Sequence, residues 1–506
     1  MPLPIINSIA SWVLKQRIHQ IELFLKYPNE VQNELLLGLI RQAEKTVLGE
    51  TYDFESIKNY STFADRIPIS TYEELEPLIE RTRQGEQNVF WNEPIKWFAK
   101  SSGTTNAKSK FIPVSNAALE DCHYKGSKDL LCLYLNNNED SQLFVGKSLR
   151  LGGSSQIYED NKTYFGDLSA ILIENMPMWA EFSSTPSNKV SLMSEWESKL
   201  AAIISETKTE NVTSFAGVPS WLLVLMNRML AESGKENLLE LWPNLEVYFH
   251  GGVSFEPYKI GFEKLLGKPI TYVETYLASE GFLAWQDKQG ARGMRLSYNQ
   301  HIFFEFVPFD DTNFDNNGDM IEKPETLMIH EVEEGKDYAV LISTAAGAWR
   351  YLIGDTVRFI DKENAEIIIT GRTKHFLSLV GEHLSVDNMN KAVQLVSEEM
   401  NISIPEYCVT GEPVGTFFGH HWYIACDQNI DPILLAKSID EKLCVLNDDY
   451  AIERKSALKE VKLTILKENT FLSFMQSKGK VGGQHKFPRV IKGDLLKDWK
   501  AFILNQ

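Results

Sequence analysis

The chain has 506 residues, enough for two to four domains at roughly 100–200 residues each. Apolar residues make up 43% and charged residues 24%, the balance of a soluble globular protein, which excludes disordered, collagenous, fibrous and mucin-like classes. Lys and Arg number 51 against 69 Asp and Glu, and the net charge of −18 disfavours bulk attraction to nucleic acid or to an anionic membrane.

The first hundred residues read as helical. In MPLPIINSIASWVLKQR the first basic residue, Lys15, follows the apolar stretch, whereas a secretory signal carries its charge in front; an amphipathic helix is expected. From Val31 to Val47, Leu35, Leu36, Leu39, Ile40 and Ala43 fall on one helical face. A second helix is expected over Thr71–Arg83, with Thr71 as N-cap and Glu74 as its capping-box partner. The charge-free run Asn211–Asn227 is short for a membrane span and contains Gly217-Val218-Pro219, so it reads as buried core. Short apolar runs ending in small-residue loops follow, LEVYFHGG (245–252) and ITYVETYLASEG (270–281). Between 301 and 370, HIFFEFVPF, TLMIHEV, DYAVLIST, YLIGDTVRFI and EIIITG read as closely spaced strands of an antiparallel sheet or barrel. A helix over 384–400, a strand near 421–426 and mixed elements to the end form a smaller α+β unit. Residues 451–506 carry 12 Lys and Arg against 5 Asp and Glu. On its own that is a solvated surface; beside a polyanionic ligand it would be a cover.

The strongest chemical signal is Lys100-Ser-Ser-Gly-Thr-Thr-Asn-Ala-Lys-Ser-Lys110, followed at once by the apolar Phe111-Ile112-Pro113-Val114. Small and hydroxylated residues let backbone N–H groups and hydroxyls converge on phosphate oxygens, with lysines as countercharges. The spacing is not that of a Walker A loop. Phe249-His250-Gly251-Gly252 reads as a strand entering a double-glycine turn against which a flat ring fits. Tyr276-Leu-Ala-Ser279-Glu280-Gly281 offers an aromatic, a hydroxyl and a carboxylate, suited to a base, a phosphate and Mg²⁺. Tyr351-Leu-Ile-Gly354-Asp355 places a carboxylate after a tight turn, suited to two ribose hydroxyls, and Gly371-Arg372 ends the last strand. Each is weak alone; their order and spacing are not.

That order, SSGTT…K, Y-x-x-S-E-G, Y-x-x-G-D and G-R, resembles the adenylate-forming superfamily of acyl-CoA synthetases, luciferases and peptide-synthetase adenylation domains. In finer detail the chain is similar to the auxin-responsive Gretchen Hagen family of acyl acid amido synthetases, on IPISTYEELEPLIERTRQGE, SSGTTNAKSKFIPVS, TSFAGVPSWLL and GQHKFPR, from about residue 40 to 495. The resemblance implies an α/β fold: a large N-terminal α/β domain with a β-barrel portion (1–373) that binds ATP and the acyl acid, and a smaller mobile C-terminal α+β lid (374–506). It implies that a small carboxylic acid attacks ATP, releasing pyrophosphate, and that an amino acid amine then takes the acyl group from the adenylate, leaving AMP. Ser101, Ser102, Thr104 and Thr105 would bind phosphate oxygens, and Lys110 would lie near the β- and γ-phosphates. Gly252 and Tyr276 would frame the adenine, Ser279 would meet the α-phosphate, Glu280 would hold Mg²⁺ and Asp355 would grip the ribose. Arg372 and His383 would add contacts near the hinge, and Lys486 would reach in from the lid during adenylation.

Two departures stand out. The superfamily loop usually has Gly after the second Thr and Pro two residues on; here Asn106 and Lys108 stand there, which argues against a standard CoA ligase. In Gly381-Glu-His383-Leu-Ser385, plant members often carry lysine at the position of His383. A neutral imidazole supplies no fixed charge, so either His383 titrates in use or the contact is reduced. The alternatives are a thioester-forming ligase of the same superfamily and a nucleotide-binding relative without turnover.

Other features read as structural. Asn313-x-Asp315-x-Asn317-Gly318 resembles a calcium loop, but Pro324 stands where the bidentate Glu belongs, leaving an acidic surface loop. His420-His421 has no third ligand at zinc spacing and reads as a strand-end pair. Ser214–Ser220 lacks G-x-S-x-G. Arg150, in Leu149-Arg150-Leu-Gly-Gly153, pairs with a substrate carboxylate or, more simply, is a solvent-exposed arginine. Five cysteines (Cys122, Cys132, Cys408, Cys426 and Cys444), none in a C-x-x-C pair, fit reduced thiols in the cytoplasm. Neither nucleic acid nor membrane is expected as a partner, and nothing demands more than a monomer. Which acid and which amino acid react is not written in any fixed spacing.

Overall fold

The computed structural model describes residues 4–504 apart from 102–109, 153–157, 161–162, 253–254, 316–317, 375, 383, 468 and 479–486. The chain forms two compact units, one up to Thr373 and one from Lys374.

Helices open the first unit. The expected 31–47 helix appears as Pro28–Ala43 followed by a short Val47–Thr51, with Leu36, Leu39, Ile40 and Ala43 buried. The helix Tyr72–Arg83 begins at Thr71, whose backbone N–H donates to Glu74 Oε2 at 2.7 Å, the capping box that the sequence spells. A small sheet follows, made of β1 (Trp97–Ser101), β2 (Lys110–Val114), β4 (Tyr158–Asp160) and β5 (Thr163–Gly166), in the order β2-β1-β5-β4.

The main sheet has eleven strands: β3 (Lys147–Arg150), β6 (Ser184–Thr185), β7 (Val212–Gly217), β8 (Val247–Gly251), β9 (Thr271–Ala278), β10 (Gly281–Trp285), β11 (Met294–Leu296), β12 (Ile302–Pro308), β13 (Asp337–Thr344), β14 (Tyr351–Asp361) and β15 (Glu366–Arg372). Their order is β12-β13-β14-β15-β11-β10-β9-β8-β7-β3-β6. The stretch from β9 through β8, β7 and β3 to β6 is parallel. Helices Pro219–Ser233 and Glu256–Leu266 make the crossovers from β7 to β8 and from β8 to β9, and the run from 211 splits at Pro219 into a buried strand and a helix. No described helix is long and apolar enough to cross a membrane.

The expected β-barrel portion is corrected to an open sheet. The free edge of β15 is taken by the three-residue β11, which also pairs with β10, so the ladder runs on into the parallel half and does not turn back to β12. TLMIHEV is likewise not a strand. Leu327 makes a single bridge to Phe306, and then Met328 N–H donates to the Glu331 carboxylate at 2.8 Å, turning the chain away. β12 and β13 are buried along nearly their whole length, which is why their sequences run continuously apolar instead of alternating.

A buried ionic knot ties the N-terminal helices to this sheet. Arg350, at left-handed φ 46°, directs Nε to Glu305 at 3.0 and 3.1 Å and Nη1 to the carbonyls of Ala64 (2.7 Å) and Ile67 (2.9 Å). Tyr60 donates to the same Glu305 carboxylate at 3.0 Å.

In the second unit, β18 (Tyr407–Val414) pairs antiparallel with β19 (Phe417–Ala425), and β20 (Leu458–Leu466) lies parallel to β19; a two-stranded ribbon, β16 (Phe376–Leu377) with β17 (Leu384–Ser385), precedes them. The expected 384–400 helix is Val386–Met400, capped by Ser385. Trp499 packs among Phe471, Phe474 and Phe487 at 4.8–5.2 Å between ring centroids. His420 and His421 stand in the middle of β19, not at its end: His421 Nε2 meets Thr464 Oγ1 at 2.8 Å, and the buried His420 serves Glu382, as described below.

Removing Arg350 while leaving Glu305 strands a buried carboxylate, an error that costs about 3–5 kcal/mol. Arg350→Met is expected to lower the unfolding midpoint in urea steeply, and Arg350→Met with Glu305→Leu to recover most of the loss. Buried histidines give a second expectation. Burial alone pushes His123 and His250 down to about 4, so both are neutral in the folded chain. The unfolded chain takes up these protons near pH 6.5, so stability is full above that pH and falls as pH drops toward 4, by up to about 3 kcal/mol per histidine. His123→Met should flatten the decline in melting temperature between pH 7 and 5; an unchanged slope would contradict it.

Candidate active site

The carboxyl ends of parallel strands are where α/β sheets receive ligands. On that edge β8 ends at Gly251, and Gly252 follows with φ +83°, a conformation a side chain would strain. The register sets Gly251 beside Thr275, one residue before Tyr276. β9 and β10 form a hairpin in which Ala278 pairs with Gly281, leaving Ser279 and Glu280 as its two-residue tip. The motif Y-x-x-S-E-G is therefore a strand end, a turn and a returning strand.

The antiparallel register of β14 and β15 opposes Asp355 to Arg372, with Arg372 Nε 3.1 Å from Asp355 Oδ1. Tyr276 donates its hydroxyl to Asp355 Oδ2 at 2.5 Å. Arg372 Nη2 reaches the Ile353 carbonyl at 3.1 Å, lying over Gly354, where a Cβ would sit 3.3 Å from that nitrogen. Gly354 has φ +89° and falls where the ladder to β13 slips register; this bulge makes room for the guanidinium. The Y-x-x-G-D and G-R motifs thus form one cross-strand unit.

Glu280 belongs to the same electrostatic cluster. Withdrawal from water raises its carboxyl above the ordinary value, and the Asp355 charge adds to that; its own backbone N–H, Lys110 and Arg372 pull the other way. Burial opposes the charge on Arg372, but Asp355, Tyr276 and Glu280 outweigh it, and its affinity for the proton rises. Tyr276 is raised well above its usual range, first by burial and then by Asp355, and stays a neutral donor.

Ser101 and Lys110 are register partners at the loop end of the β1–β2 hairpin, so the loop they bound starts and ends at one place. Ser102, Thr104 and Thr105, like His383 and Lys486, lie outside the described residues. Lys110 Nζ sits 5.3 Å from the centroid of the Tyr72 ring, and Tyr72 Oη accepts from Phe111 N–H at 2.9 Å. Lys110, Tyr276, Glu280, Asp355 and Arg372 are thereby brought together; Ser279 and Gly252 share their edge without a direct bond into the cluster.

Sequence reading missed three supports. Tyr72 underpins the loop hairpin, and its only signal is its place right after the N-cap of a helix. Ser70 exchanges backbone bonds with Arg350 (3.0 Å) and Leu352 (2.9 Å), stitching IPIST to the start of β14. Tyr351, between those partners, is buried within reach of the Glu280 and Arg372 charges, and burial first of all keeps its hydroxyl protonated. In the second unit, Glu382 accepts backbone N–H bonds from Leu379 and Val380, both 2.9 Å, and pairs with His420 Nε2 at 2.8 Å. Burial works against the Glu382 charge, but these bonds outweigh it and its carboxyl lies below the usual value. The G-E-H segment is thus anchored through Glu382, the neighbour of His383. Phe487, the neighbour of Lys486, is held in the Trp499 cluster.

Comparison with known proteins places the chain in a family. The chain matches the GH3 family N-terminal domain over residues 17–270, the central domain over 296–368 and the C-terminal domain over 387–494. It is 22% identical over 496 residues to indole-3-acetic acid-amido synthetase GH3.2 of Arabidopsis thaliana, covering 84% of this chain and 89% of that one. Against jasmonoyl–L-amino acid synthetase GH3.5 of Oryza sativa subsp. japonica it is 23% identical over 564 residues, covering 94% of each. The solved GH3.15 acyl acid amido synthetase in complex with 2,4-DB superposes with a TM-score of 0.63 at 17% identity over 96% of both chains. A 2-hydroxyisobutyryl-CoA ligase shares the fold with a TM-score of 0.57 at 12% identity, over 95% of this chain and 94% of that one. With three domain matches spanning most of its length, the chain belongs to the GH3 family.

Proposed function

We propose that this protein is an ATP-dependent acyl acid amido synthetase, a carbon–nitrogen ligase that works through an acyl-adenylate. The observation that carries the reading is the convergence of Tyr276, Glu280, Asp355 and Arg372 at one end of the main sheet, with Lys110 of the small sheet near enough to act on Glu280, in a GH3 chain. Attack of a carboxylate on the α-phosphate of ATP forms an acyl–phosphate bond and expels pyrophosphate. Attack of an amino acid amine on the acyl carbon then forms the amide, expels AMP and gives up a proton. Most of the work is charge placement and alignment.

In this reading Ser101, Ser102, Thr104 and Thr105 bind phosphate oxygens, and Lys110 offsets charge on the β- and γ-phosphates. Gly252 and Tyr276 frame the adenine, the Tyr276 ring being set by its bond to Asp355. Asp355 keeps lone pairs beyond those used by Tyr276 and Arg372, and these take the ribose hydroxyls. Ser279 meets the α-phosphate, while Arg372 and His383 flank the nucleotide. Glu280, a single hard-oxygen ligand at a hairpin tip, fits Mg²⁺, which typically takes one or two carboxylates besides phosphate oxygens and water. When bound, that ion would neutralise phosphate charge. The second unit acts as the lid, carrying Lys486 toward the reacting oxygen. In this reading the protein works as a monomer in a reducing cytoplasm, a compartment with which five unpaired thiols are compatible.

The test of the amide reading is the acceptor. With ATP and a reactive acid, net AMP release should require an amino acid; release driven by CoA instead would make the protein a thioester ligase. Lys486→Ala should slow adenylation by at least about tenfold, the loss of roughly one charge-assisted contact, and leave aminolysis of a supplied acyl-adenylate unchanged. Equal loss in both half-reactions would remove Lys486 from that role. Glu280→Gln should abolish pyrophosphate release while nucleotide binding persists.

A further inference from the structure

Arg150 is not the solvent-exposed arginine of the simplest sequence reading. It closes β3 at the edge that carries the site, level with Ala216 and, through β7 and β8, with Phe249 and Val273. In-register residues of parallel strands share a face, and Phe249 on that face packs on Tyr134 of the helix Lys125–Asn137 at 5.7 Å. The Arg150 side chain is largely withdrawn from water. Its Nη1 lies 2.6 Å from the Met176 sulfur, while Nε and Nη2 are buried without a hydrogen-bond partner. Beside it the buried Lys199 holds the Gly152 carbonyl at 3.1 Å, and its charge is already faced by Asp167.

Two buried, unmet donors on one guanidinium are costly, and a native structure keeps such a group only for a reason. The unmet pair is Nε with Nη2, the edge that forks onto a carboxylate. The same molecule uses that edge elsewhere: Arg358 grips Asp337 through Nε and Nη2 at 2.8 Å each, Arg454 grips Asp440 at 2.7 and 2.8 Å, and Arg17 and Arg81 fork onto Asp129 and Glu86 in the same way. Among the described residues no carboxylate is hydrogen-bonded to the Arg150 fork; the exposed Glu181 acts on it only through its charge. Burial lowers its affinity for the proton to about 10, so it remains a cation at neutral pH. Met176, an unbranched and adaptable side chain, is the cover that gives way.

We propose that Arg150 binds a substrate carboxylate other than the one being activated. Three strand spacings, about 14 Å, separate β3 from β9, too far for the reacting group near Glu280 and suited to a remote end of a substrate. The carboxylate belongs either to the far end of a dicarboxylic acyl acid or to the amino acid acceptor. This deepens the functional reading above and rests on it for the identity of the substrates.

The experiment measures the melting temperature of the full chain, as wild type, Arg150→Gln and Arg150→Lys, with linear diacids from succinate to sebacate, with their monomethyl esters, and with amino acids including aspartate and glutamate. The expected result is a shift of a few degrees with one class, absent with the esterified or amidated partner, lost in Arg150→Gln and partly kept in Arg150→Lys. Diacids assign the carboxylate to the acyl acid, and amino acids assign it to the acceptor. Acid-dependent ATP–pyrophosphate exchange with monocarboxylic acids should stay within about twofold in Arg150→Gln, whereas KM for the carboxylate-bearing substrate should rise at least tenfold with little change in kcat. If no carboxylate separates wild type from Arg150→Gln, or if that variant only melts lower with selectivity intact, the proposal is overturned and Arg150 is a packing residue. Failure of the functional reading looks different, since the wild type would then show no exchange with any acid, whatever the melting shifts.

Discussion

The pairing of Asp355 with Arg372 across β14 and β15 is the constraint on which the rest of the site depends. It needs the bulge at Gly354 to seat the guanidinium, and it gives Tyr276 the acceptor that fixes its ring. Glu280, at the tip of the β9–β10 hairpin, feels both charges on top of the burial that raises its carboxyl. Opposite charges balanced in a partly dry setting are costly to assemble and rigid once assembled. Such a cluster suits a reaction in which negative charge on phosphate must be met by groups already in place.

The fold supplies the remaining alignment through backbone rather than side chains. Ser70 is stitched to the residues on either side of Tyr351, and Tyr72, two residues later, holds the Phe111 amide of the loop hairpin. A single N-terminal segment thus ties the loop bounded by Ser101 and Lys110 to the strand that carries Asp355. Arg350, bound to Glu305 and to carbonyls of the preceding helix, locks that segment in register. Chemistry and architecture meet at consecutive residues, Arg350 and Tyr351. In the second unit, Glu382 and Phe487 anchor the segments that lead to His383 and Lys486.

Much of this was legible in the sequence, because short motifs with local geometry survive as motifs. Y-x-x-S-E-G is a strand and its hairpin tip, and Thr71 with Glu74 is a capping box; both are set by residues a few positions apart. The strand runs leave sheet or barrel open, because they announce pairing without naming the partner, and whether β15 closes on β12 or passes to β11 is a long-range choice; the barrel came only with the resemblance. TLMIHEV has strand composition, yet one side-chain bond from Glu331 turns it aside. The mid-strand burial of His420 depends on Glu382, 38 residues away, and Tyr72 matters through a bond to a residue 39 positions on. Arg150 was misjudged for the same reason: its burial is imposed by Met176 and by the strand register, neither visible in Leu-Arg-Leu-Gly-Gly.

The most direct test of the account is ATP–pyrophosphate exchange against a panel of small carboxylic acids, without amino acid. The account predicts exchange that depends strictly on one class of acid and is abolished by Asp355→Ala. Robust ATP binding with no exchange for any aromatic, indolic, aliphatic or dicarboxylic acid would contradict it, leaving a nucleotide-binding relative that does not form an adenylate.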